Sequence, residues 1–178
     1  MKKIDNALKM IEHADVHELW DDIPFNKKLK LANLMIYDDN WDEETYIPPE
    51  QFDRIQVINS LSYAVCELNY KDLVVRIFDY IERMTITNDK ELMSLHFYYQ
   101  GMGNYYYAQR ENEESLNKAI TFYTKDIEAF PKYKEAFVRR YKAIPLIDSF
   151  KQIAIIYEKK GVNVKSLAFR SEPIFDKL

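Results

Sequence analysis

Apolar positions along this chain recur at helical spacing, in runs punctuated by proline, glycine and acidic loops. The first run predicts a helix from Lys2 to about His13 with Ile4, Leu8 and Ile11 on one face. A second follows Pro24 and turns Leu31, Leu34 and Met35 inward. Beyond the loop around Trp41, a third starts near Glu50 and carries Phe52, Ile55, Ile58 and Tyr63, and a fourth runs from Lys71 to about Met84. The next pair spans Leu92 to Phe130. The segment from Tyr133 to Ile144, broken by Pro145, and a last long helix with Gly161 as its C-cap complete the pattern. A short terminal helix lays Ile174 and Phe175 on that last pair. Pair starts near Glu50, Asp89 and Lys132 fall about 40 residues apart. The expectation is an all-α chain of antiparallel helix pairs forming one domain over residues 1–178. Within it lie a cap and acidic loop (1–47), helix pairs (48–87 and 88–131), and a terminal pair with a tail (132–178).

The pair from 88 to 131 carries a spacing of small and large residues that suits two closely crossing helices. Tyr99, Gly103 and Tyr106 stand at i, i+4 and i+7, and Ala119, Tyr123 and Asp126 repeat that spacing before Pro131. This resembles a tetratricopeptide repeat, whose pattern places a small residue at Gly103, large aromatics at Tyr106 and Tyr123, alanine at Ala119 and a terminating proline at Pro131. Two features depart from it: the loop from Arg110 to Ser115 lengthens the spacing by about four residues, and Asp126 stands where a small residue is usual. The resemblance implies a short solenoid with an atypical N-terminal cap, in which Pro131 ends the unit, and a binding architecture that leaves the partner unspecified.

Composition agrees with helices and narrows the chemistry. Only three glycines and six prolines among 178 residues, with 47% hydrophobic residues, disfavour a sheet full of tight turns. No window approaches a membrane span, and the N-terminus lacks the apolar core of a signal peptide, so a cytoplasmic protein is expected. The single cysteine, Cys66, sits in an apolar run and fits a reducing compartment better than a nucleophile's role. His13 and His17 have the i, i+4 spacing of a metal pair but no third ligand, and His96 stands alone between apolar neighbours as a structural histidine. Neither a phosphate loop nor a nucleophile elbow occurs, and no metal or cofactor is expected. A pI near 5.5 opposes nucleic-acid binding.

Charge is distributed unevenly. Residues 1–53 hold 13 acids against 6 bases, whereas residues 132–178 hold 11 bases against 5 acids. Asp38, Asp39, Asp42, Glu43, Glu44, Glu50 and Asp53 form an acidic stretch interleaved with Tyr37, Trp41, Tyr46 and Phe52, a composition suited to a basic protein surface. Tyr98 and Tyr105, seven residues apart, are expected on one exposed face as interface anchors, with Arg139, Arg140 and Lys142 on the following helix. These features predict a non-enzymatic protein-binding module. In size and character the chain is similar to bacterial toxin-immunity proteins, which implies an inhibitor that occludes a basic, nuclease-like toxin. An adaptor or chaperone for a peptide tail is the first alternative, and a helical hydrolase with a carboxylate-bound metal the second.

Overall fold

A computed structural model of the chain describes residues 2–36 and 51–161. The described residues form helices and connecting turns, without a strand: α1 (Lys2–Ala14), α2 (His17–Trp20), α3 (Phe25–Met35), α4 (Arg54–Glu67), α5 (Lys71–Arg83), α6 (Asp89–Ala108), α7 (Glu113–Tyr141) and α8 (Asp148–Lys159). The all-α expectation therefore holds. Two compact units divide the chain, one comprising Met1–Tyr98 and Lys132–Ala143, the other Tyr99–Pro131 and Ile144–Leu178.

In the first unit α1 packs on α2, α3 and α4, α3 packs on α4, and α4 packs on α5, which also holds α2. Ile4, Ala7, Ile11 and Ala14 give α1 its buried stripe, with Leu8 at the stripe's exposed edge. Ile11, Leu31, Ile55, Ile58 and Leu61 are buried among α1, α3 and α4, while Tyr63 faces out. Both α1 and α4 end in Schellman motifs. Val16 N–H donates to the Ile11 carbonyl and Tyr70 N–H to that of Val65, with Asp15 (φ 51°) and Asn69 (φ 53°) in the left-handed position. Lys142, after the last residue of α7, also has a positive φ, 56°.

The single turn α2 has no counterpart among the predicted helices, being too short to show a period. Burial of Val16, Leu19 and Trp20 secures it, together with hydrogen bonds from α5: Arg76 donates to the Glu18 carbonyl at 2.7 Å and Arg83 to the Glu18 carboxylate at 2.6 Å. At the start of α4, Asp53 and Gln56 form a reciprocal capping box, and the Ser94 hydroxyl donates to the second Asp53 oxygen at 2.7 Å. Cys66 is half-buried on α4; burial, reinforced by Glu67, pushes its thiol up to about 12, so it stays protonated at neutral pH.

The second unit joins the C-terminal half of α6, the first five turns of α7, and α8. Ala119, Tyr123, Ile153 and Ile156 form its buried centre, with Tyr106, Tyr107, Leu116 and Ile120 packed around them. Gly103 supplies the close approach that the sequence spacing suggests. A Cβ there would meet the Tyr123 ring at Cε1 and, at 2.6 Å, at Cδ1. The Tyr123 hydroxyl donates to Asn104 Oδ1 at 2.8 Å, and burial pushes that phenol up to about 12.

Asp126, the departure from the small-residue pattern, is fully buried and accepts a 2.6 Å hydrogen bond from the equally buried Ser149 hydroxyl in the first turn of α8. Gly161 follows α8 with φ 73°, a C-cap conformation that glycine adopts without strain. One expectation fails: Pro131 does not end its helix, since α7 continues through it to Tyr141. Proline removes one helical hydrogen bond, yet Phe130 on one side and Tyr133 and Ala136 on the other are buried at helical spacing, and this burial outweighs the penalty of about 3 kcal/mol.

Candidate protein-binding face

Within the first unit, α6 and α7 meet through aromatic side chains. On α6 the inward arc includes Glu91, Leu95 and Tyr98, at i, i+4 and i+7, which turns Phe97 outward. On α7 Tyr133 and Ala136 point in, so Phe137, Val138 and Tyr141 fall on the outer flank. Phe97 and Tyr141 are 56% and 58% exposed. Phe137 lies between them, with its ring centroid 6.3 Å from Phe97 and 5.8 Å from Tyr141. Beneath this row the buried His96 ring sits 4.9 Å from both Phe97 and Tyr133. The rings thus form a continuous ladder from the core to the surface, edge-on between Phe97 and Phe137 and tilted at the other steps.

Charged groups surround the ladder in two distinct states. Arg139 forks onto Asp89, with Nε to Oδ2 at 2.9 Å and Nη2 to Oδ1 at 2.7 Å, and also lies 3.6 Å from Glu135. The hydrogen bonds from Arg139 hold the Asp89 carboxyl below the usual carboxylate range. Arg140, by contrast, lays its guanidinium 5.6 Å from the Tyr141 ring centroid, and Lys142 donates to the Arg139 carbonyl at 3.2 Å. Neither Arg140 nor Lys142 forms an ion pair among the described residues.

The start of α6 is fixed from below by a polar clamp. Arg54 donates to both oxygens of the buried Glu91 at 2.7 and 3.1 Å, and the Thr87 amide and hydroxyl each add a 2.8 Å bond. Burial alone would raise the Glu91 pKa, but these donors reverse that effect and hold it below the ordinary value. The clamp and the Asp89–Arg139 fork hold the turn of α6 that leads to Phe97.

Of the residues expected at a binding site, Asp38, Asp39, Trp41, Asp42, Glu43 and Glu44 lie outside the described residues. Tyr98 is a correction: it is 1% exposed and belongs to the core, because the inward arc of α6 includes it and leaves its neighbour Phe97 outside. Tyr105 is half-buried in the second unit, where its ring packs edge-on against Tyr106 at 5.1 Å. Arg139 is exposed as expected, though engaged by Asp89. Sequence reasoning missed Phe97, Phe137 and Tyr141. The signal for the last two was an apolar stripe, Tyr133, Phe137, Val138 and Tyr141, wider than one buried face requires. His17 faces Asp21 at 3.8 Å, and no group of three or more metal-ligating side chains occurs among the described residues.

An aromatic row with fixed rings and flanking cations can receive apolar side chains and orient charged ones. Comparison with known protein families, with curated protein sequences and with solved structures finds no match.

Proposed function

We propose that this chain is a non-enzymatic protein-binding module, a small helical scaffold that engages another protein through the face formed by Phe97, Phe137 and Tyr141. The observation that carries this reading is the contiguity of the three rings, two of them more than half exposed. Single exposed apolar residues are ordinary, whereas a row of rigid aromatic side chains gives large contact area at small entropic loss. In this reading α6 and the first part of α7 serve as a repeat-like pair similar to a tetratricopeptide unit. Support comes from Gly103, whose missing side chain admits the Tyr123 ring. The cytoplasm suits the single protonated thiol.

The test is an affinity capture with tagged wild type beside the Phe97→Ser/Tyr141→Ser double variant. Both substitutions are at exposed positions, so melting temperatures should agree within a few degrees. A partner held by wild type and weakened about tenfold or more in the variant is the expected result. Equal retention of every partner would remove this face from the function.

A second reading, stoichiometric inhibition of a basic toxin, draws on the seven carboxylates between Asp38 and Asp53, with no base among them. Reversal of Asp42, Glu43 and Glu44 to lysine should then slow association at low salt; unchanged association would dismiss it.

A further inference from the structure

The charges around the aromatic row specify what kind of segment it receives. From Lys132 to Lys142 the chain has five bases (Lys132, Lys134, Arg139, Arg140 and Lys142) and one acid, Glu135. The nearby carboxylates are already engaged: Asp89 and Glu135 with Arg139, and Glu91 with Arg54. Arg140 and Lys142, both exposed at the end of α7, lack carboxylate partners among the described residues. Arg140 is also placed, since its guanidinium rests near the Tyr141 ring and so puts positive charge at the margin of the apolar row. We infer that this face takes an acidic amphipathic segment of another protein, with apolar side chains on Phe97, Phe137 and Tyr141 and carboxylates on Arg140 and Lys142. This rests on the protein-binding reading above and deepens it.

Alternative macromolecules fit less well. A nucleic acid offers negative charge, but the chain carries a net charge of −4, and the two cations on this face without carboxylate partners among the described residues give little counterion release. An acidic helix or extended peptide matches both parts of the surface: apolar residues at helical spacing for the rings, and carboxylates able to form charge-assisted hydrogen bonds with a guanidinium held in place.

The test uses the full chain and two displayed peptide libraries. The libraries share the same apolar positions at helical spacing; one carries Asp and Glu at the remaining positions, the other Lys and Arg. Selection on wild type should enrich acidic over basic members by about tenfold or more. The Arg140→Glu/Lys142→Glu variant should abolish or invert that ratio, and Phe97→Ser should abolish enrichment, both with unchanged helical circular dichroism. Enrichment of basic members that Phe97→Ser abolishes would leave the face a binding surface and overturn its acidic preference. Enrichment that ignores Phe97→Ser, or none at all, would overturn both. Tight binding of a single-stranded oligonucleotide that the double reversal removes would replace the protein segment with nucleic acid and overturn the inference.

Discussion

At the scale of the residue, the close approach at Gly103 and the clamp at Glu91 make the sharpest predictions. A methyl group at Gly103 would collide with a buried ring that already donates to Asn104, so the ring cannot swing away freely. Gly103→Ala should destabilise the chain by about 1–3 kcal/mol in urea titration, and pairing it with Tyr123→Leu should recover part of the loss. The Arg54→Met variant leaves a buried carboxylate without its main partner and should cost about 3 kcal/mol at neutral pH. Because the folded-state pKa of Glu91 is depressed, its contribution is full above the ordinary value of 4.5 and fades as pH falls through the lower folded value. The gap between wild type and Arg54→Met should therefore narrow in acid, and a gap constant from pH 7 to 3 would show that Glu91 is not the group concerned. Gly103 was legible in the sequence because its partner positions follow a known spacing. The Arg54–Glu91 pair was not, since 37 residues separate the two and only the fold joins them. Asp126 read as a defect in a pattern, yet its carboxylate is where α8 is tethered.

At the scale of the element, periodicity located most of the described helices to within a few residues and failed where a second influence entered. The turn α2 lies below the length at which a period exists and is held by side chains from α5. Proline at position 131 is a strong local stop signal, but packing on both sides of it keeps α7 continuous. Restoring the missing donor with Pro131→Ala should therefore raise stability by about 1–3 kcal/mol in a thermal or urea melt. A loss would mean that the proline ring itself is needed for packing. Tyr98, expected outside, and Phe97, found there, differ by a single residue, about 100° of helix rotation. Aromatic content could not decide between them, since both neighbours are large and apolar; the buried arc decided it.

At the scale of the molecule, charge asymmetry was legible at once, and its meaning was only partly so. The acidic excess of residues 1–53 and the basic excess of residues 132–178 are plain in the sequence. Which bases are engaged depends on pairs such as Asp89 with Arg139, joined across 50 residues of chain. Among the non-glycine residues with positive φ, Asp15 and Asn69 are types that tolerate the left-handed conformation, and Lys142 is not. A glycine would end α7 more comfortably. Lys142→Gly should therefore make the protein about 1 kcal/mol more stable in denaturant titration while weakening its hold on an acidic peptide. On that outcome the residue that closes α7 gives up some robustness for the proposed recognition, and relieving its backbone conformation would weaken that contact.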